Sequence, residues 1–71
     1  MKTAKEIREM LKESGKNVYI QFEDGGLAHR IIGVRTFTTL VSHYKQVQVR
    51  CLTHNDSKYF AICSDDVIFC Q

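Results

Sequence analysis

Val18-Tyr19-Ile20-Gln21-Phe22-Glu23-Asp24-Gly25-Gly26 is the stretch that decides the fold. Val18, Ile20 and Phe22 share one face of an extended chain, and Asn17, Tyr19, Gln21 and Glu23 share the other, the period-two pattern of a half-buried strand. Asp-Gly-Gly then offers the positive backbone dihedrals of a tight hairpin, which predicts a returning strand from Leu27 to about Phe37. Alternation in that returning strand is poor, because Ile31 and Ile32 are adjacent. Gly33 beside them is where a bulge lets a long strand bend.

Upstream, Thr3 and Glu6 form a Thr-x-x-Glu capping box, in which hydroxyl and carboxylate each satisfy a backbone N–H left free at a helix start. Ala4, Ile7, Met10 and Leu11 follow at helical spacing, Lys5, Arg8, Glu9, Lys12 and Glu13 occupy the other face, and Gly15 supplies the stop. A helix over about 3–14 is expected. Downstream, Thr38 to Lys45 has no clear period, after which Val47, Val49 and Cys51 point one way and Gln46, Gln48 and Arg50 the other. Thr53 to Ser57 reads as a turn, Lys58 to Cys63 as a strand with Phe60 and Ile62 inward, and Val67 to Cys70 as a last short strand after Ser64-Asp65-Asp66. The class is α+β, mainly β: one domain over 1–71, an N-terminal helix followed by a five-stranded, strongly bent antiparallel sheet over about 17–70.

A chain of 71 residues buries only about 60% of the surface it exposes when unfolded, so a partner or self-association would add to a modest stability. The net charge of +2 is uneven. Lys2, Lys5, Arg8, Lys12 and Lys16 outweigh Glu6, Glu9 and Glu13 in the helix, whereas basic and acidic residues cancel across the sheet. No apolar run has the length of a signal peptide or a bilayer span, which predicts a cytoplasmic protein with no membrane contact. Three cysteines, without a Cys-x-x-Cys pair, argue for reduced thiols and against a disulfide framework.

The order of elements, with Val18-x-Ile20-x-Phe22-x-Asp24-Gly25 after the helix, resembles the Sm-like barrels, among them the bacterial Sm-like RNA chaperones and the Rho-inhibitor family. What the resemblance implies is a small Sm- or SH3-like barrel. The chaperones hold RNA with a Tyr-Lys-His-Ala-Ile-Ser segment, and the matching stretch here is Lys58-Tyr59-Phe60-Ala61-Ile62-Cys63. It keeps Ala61 and Ile62 and loses the Lys and His positions, and the helix lacks the chaperones' glutamine, so the RNA-holding residues do not carry over.

Candidate chemistry is sparse. Cys51-x-x-His54 with Cys63 and Cys70 has ligand types that zinc accepts, but structural zinc sites pair their ligands at close spacing, and small buried hydrophobes are the commoner role of cysteine. No metal or cofactor is expected. His29, His43 and His54 are possible general bases, with Asp65 or Asp66 to orient one, yet nothing in the spacing brings them together. Ser42 and His43, as neighbours on a strand, point to opposite faces and make no nucleophile–base pair. Asp65 and Asp66 are expected to start a single helical turn by accepting backbone N–H groups. No catalytic residue is expected.

The segment Arg35 to Gln46 mixes aromatic, basic and hydroxyl residues where the inward pattern lapses, the composition of a binding loop, with Arg35, Tyr44 and Lys45 as partner-binding candidates. Its plainer reading is a hairpin whose Phe37, Leu40 and Val41 close one barrel end. The leading expectation is a non-catalytic binding module that modulates a larger host protein, in the manner of phage- or mobile-element-encoded inhibitors. A second is RNA or single-stranded nucleic-acid binding, with Tyr19, Tyr44 and Tyr59 stacking on bases and Arg30, Arg35, Lys45, Arg50 and Lys58 on phosphates. A third is a homo-oligomeric sponge or sensor for a small nucleotide, its pocket lying between copies.

Overall fold

The computed structural model of the chain describes residues 2–41 and 43–71. Helix α1 (Ala4–Ser14) starts at the capping box: the Thr3 hydroxyl accepts from the Glu6 N–H at 3.2 Å, and the Glu6 carboxylate accepts from the Thr3 N–H at 3.1 Å. Those hydrogen bonds hold the Glu6 carboxyl below the ordinary carboxylate range. Gly15, at φ 55°, ends the helix by donating its N–H to the Leu11 carbonyl, and a 3₁₀ turn over Gly15–Asn17 leads into the sheet.

Five strands follow: β1 (Val18–Gln21), β2 (His29–Thr38), β3 (Lys45–Leu52), β4 (Ser57–Ala61) and β5 (Val67–Cys70). They form one antiparallel sheet in the order β4-β3-β2-β1-β5. The helix and bent five-stranded sheet agree with the sequence reading, but the sheet does not close into a barrel: β4 and β5 stand at its two ends. A register shift between Ile31 and Gly33 marks the bulge in β2, with Ile32 as the extra residue. A Cβ at Gly33 would lie 3.6 Å from the Arg50 Cβ, an ordinary contact, so the glycine is not required by lack of room.

Ile7 from the helix meets Val18, Ile20, Ile31, Val49 and Cys51 from the sheet and Ile62 just after β4 in one buried cluster, flanked by Met10, Leu11, Phe22, Val34, Val47, Phe60 and Ile68. The alternating positions Val18/Ile20 and Val49/Cys51 point inward as their spacing requires. The last strand is tied in at its end, where the Gln71 N–H donates to the Asn17 carbonyl at 2.8 Å. No helix among the described residues is long and apolar enough to cross a membrane.

Several expectations change. The β1–β2 connection is not a tight two-residue turn at Asp24-Gly25-Gly26 but a loop over 22–28, in which Gly25 donates to the Phe22 carbonyl at 3.0 Å and both glycines have positive φ. Phe22 leaves the ladder because its ring packs on Phe60 and His29, with centroids 5.4 and 5.7 Å away, and Leu27 is left exposed. Strand β4 begins at Ser57 and ends at Ala61, short of the Lys58–Cys63 expected. Asp65 and Asp66 start no helical turn; Ser64 and Asp65 form a plain turn. Phe37, Leu40 and Val41 do not close an end of the molecule, since Leu40 and Val41 are 94% and 97% exposed and Phe37 is half-exposed. Only Cys51 of the three cysteines is buried; Cys63 and Cys70 are exposed.

Candidate functional site

Long strands β2 and β3 extend past the core as an arm. Pairing continues out to Thr38 and Lys45, and the tip is fastened by the Thr39 N–H donating to the Tyr44 carbonyl and the His43 N–H to the Thr39 carbonyl, both at 3.1 Å. All of Arg35 to Thr38 is exposed, because no element covers the arm at that distance from the helix. Cross-strand register then sorts the side chains. Opposite Val34 lies the buried Val49, so one face of the arm is inward; Arg35, Phe37, Gln46, Gln48 and Arg50 belong to the other, and Tyr59 and Ser57 of β4 join them.

On that outer face the Arg35 guanidinium lies 3.7 Å from the centroid of the Tyr59 ring, and the Arg50 guanidinium stands 6.0 Å away. Arg35 Nε donates to Gln48 Oε1 at 2.7 Å, Gln48 Nε2 donates to Gln46 Oε1 at 2.9 Å, and Arg50 Nε donates to Ser57 Oγ at 2.8 Å. These partners are all neutral. The sequence contains no Asp or Glu from Gly25 through Asn55, while Arg30, Arg35, Lys45 and Arg50 fall within that run. This acid-free run is the signal that summing charge over the whole sheet conceals, because the balancing carboxylates are elsewhere.

Four of those five carboxylates, Glu23, Asp24, Asp65 and Asp66, gather in two loops near the core, and the fifth, Asp56, lies in the β3–β4 loop. Asp66 Oδ1 accepts from the Glu23 N–H at 2.9 Å and its Oδ2 from the Cys63 N–H at 2.8 Å, so one side chain clamps the β1–β2 loop to the β4–β5 loop. Beside it Glu23 is raised above the ordinary carboxylate range, first by a hydrogen bond to Asp65 and then by repulsion from Asp65, Asp66 and Asp24. Cys63 is likewise pushed up, by desolvation and then by the charges of Asp66, Glu23 and Asp65. Between the loops lies a groove of about 550 Å³, lined by the apolar or aromatic Phe22, Leu27, His29 and Phe60 and by the acids Glu23, Asp24 and Asp66.

The partner-binding candidates do not converge. Arg35 belongs to the Tyr59 cluster, whereas Tyr44 and Lys45 sit at the tip, Lys45 opposite Thr38 on the face away from Arg35. Of the nucleic-acid candidates, Arg50 and Tyr59 are directly paired on the outer face, and Tyr19 pairs with Arg30 on one side and with Phe69 on the other. Tyr19 and Phe69 stack at 5.9 Å with 20° between their planes. Arg30 Nε is buried with no hydrogen-bond partner among the described residues. Lys58 pairs with the buried Cys51 and so projects from the opposite face to Tyr59.

His29 lies against Phe22, His43 at the arm tip and His54 in the β3–β4 loop; among the described residues none of them hydrogen-bonds to Asp65 or Asp66. Ser42, the neighbour of His43, falls outside the described residues. Burial pushes the Cys51 thiol up to about 11, away from the thiolate that metal binding requires, and no group of three or more His, Cys, Asp or Glu with a metal-holding arrangement occurs among the described residues. Comparison of the chain with protein-family models, curated proteins and solved structures finds no match.

Proposed function

We propose that the protein is a non-catalytic binding module that attaches to a larger protein through the outer face of β2, β3 and β4 and modulates it, acting in the cytoplasm as an inhibitor of host machinery. The observation that carries this reading is the Arg35–Tyr59–Arg50 cluster on an exposed face without a carboxylate. Arginine and tyrosine dominate binding hot spots, and half-exposed Phe37 and Leu52 add apolar area beside them. The Arg35 guanidinium covers the Tyr59 ring, which favours a protein surface that packs on the pair over a base that needs the ring bare. Such a partner presents carboxylates to the arm. The Sm-like resemblance supports the reading only through the order of elements, and an origin in a phage or mobile element only through small size.

Affinity capture from the source organism's cells tests it. Arg35→Glu and Tyr59→Ala are expected to lower recovery of the specific partner at least about tenfold, the effect of losing one hot-spot anchor, and Tyr44→Ala and Lys45→Ala to lower it less. A partner retained equally by Arg35→Glu and Tyr59→Ala moves the site off this face.

Nucleic-acid binding is the second reading, favoured by the row Arg30–Tyr19–Phe69, in which an arginine stands beside a stacked aromatic pair. It requires that labelled single-stranded RNA or DNA bind at low salt and weaken steeply as salt rises. No binding at low salt removes it.

A further inference from the structure

The arm tip and the loop groove are complementary to one another. Leu40 and Val41 are almost fully exposed at the tip, with His43, Tyr44 and Lys45 beside them and no acid in the whole hairpin. Apolar residues line the groove together with the acids Glu23, Asp24 and Asp66, and Asp65 lies next to Asp66 in the chain. The chain thus carries a protruding apolar tip with basic neighbours at one place and an apolar recess edged by acids at another.

We infer that the tip of one copy docks in the groove of a second, giving weak head-to-tail self-association. A copy's own tip cannot do this: His29, at the start of β2, lines the groove, and Thr38, at its end, leads into the tip. Strand rise separates those two residues by about 30 Å. The groove is of the size that receives a small ligand or a few side chains, so Leu40 and Val41 fit the space while Lys45 reaches the carboxylates. A contact between two different patches leaves one copy with a free groove and the other with a free tip, so it propagates into a ring or an open chain. A tip buries little area, which places the contact among transient interfaces. The inference does not rest on the proposed partner; it concerns purified protein alone.

Sedimentation of the purified chain up to about 1 mM, the weak limit of specific association, at low and high salt tests it. Average mass is expected to rise with concentration at low salt and to fall back as salt screens the rim. Leu40→Asp/Val41→Asp removes the tip, and Leu27→Arg places a cation in the groove; both fall on exposed loop residues, and circular dichroism checks that each variant folds. Each variant alone is expected to associate at least about tenfold more weakly. Mixed together, the tip variant still offers a groove and the groove variant a tip, so the mixture is expected to form 1:1 dimers and nothing larger. Wild-type protein that stays monomeric throughout overturns the inference. So does association that persists in both variants, which would place the contact on another surface, and so does a mixture that forms no dimer.

Discussion

The two ends of the β2–β3 hairpin differ in what surrounds them. At the near end, Ile31 and Cys51 pair across the strands inside a cluster that the helix closes with Ile7, and loops on either side are clamped by Asp66. At the far end, Phe37 pairs with Gln46 and Thr38 with Lys45, and Phe37, Thr38 and Lys45 are exposed. Burial is therefore concentrated in the first and exposure in the second: the arm's backbone is ordered by its ladder, and Arg35 to Thr38 are exposed.

Truncating a side chain at each end is the most severe way to break that contrast. Ile31→Ala leaves a cavity among fully buried neighbours and is expected to cost about 2–5 kcal/mol, enough to unfold much of a domain of marginal stability. Val41→Ala at the tip is expected to stay within about 0.5 kcal/mol. Chemical denaturation of the two variants measures both. Equal losses would mean that the tip is packed against something in the native state.

How far the sequence reveals this division depends on whether the cause is local. The capping box, the alternation of Val18 and Ile20, that of Val49 and Cys51, and the bulge near Gly33 are all readable because each depends on residues within a few positions of one another. The adjacency of β1 and β5 is not, since Tyr19 meets Phe69 only through packing across the chain. Nor is the opening of the 22–28 loop, which follows from Phe22 turning to Phe60, a distant residue. The candidate site is half legible. Arg35, Arg50 and Tyr59 are conspicuous by type, but their convergence requires the register that sets Arg35 opposite Gln48 and Arg50 opposite Tyr59. Exposure of Leu40 and Val41 was hidden for a related reason: apolar residues at the end of a strand read as core unless the arm is known to outrun it.

A finer test asks whether the outer face is organised or merely exposed. In a double-mutant cycle with Arg35→Ala and Tyr59→Ala, unfolding free energies are expected to give a coupling of about 0.5–1 kcal/mol, the range for an exposed cation–π pair. Additive losses would mean that the guanidinium does not rest on the ring in solution, and the face would then be a set of independent side chains.

The smallest expected effect concerns the clamp at the near end, and its sign distinguishes tension from support. Glu23 titrates above its ordinary value because protonation lets it share a hydrogen bond with Asp65 and relieves repulsion from Asp65, Asp66 and Asp24. A group raised in the folded state contributes its stability at low pH, below the unfolded pKa, and loses it as pH rises through the folded pKa. Glu23→Gln keeps a side chain that hydrogen-bonds and removes the charge, so its Tm at pH 7 is expected to exceed that of the wild type. The gap should close as acid protonates Glu23 in the wild type, and salt should narrow it at pH 7 by screening exposed carboxylates. Glu6 supplies the opposite control: lowered by its bonds to Thr3, it stabilises the helix start at neutral pH and loses that contribution as pH falls through its folded pKa, so Glu6→Gln is expected to lower the Tm at pH 7. Were Glu23→Gln instead to lower the Tm at pH 7, the carboxylates around Asp66 would be supporting the loops that wall the groove, and the repulsion there would be too weak to matter.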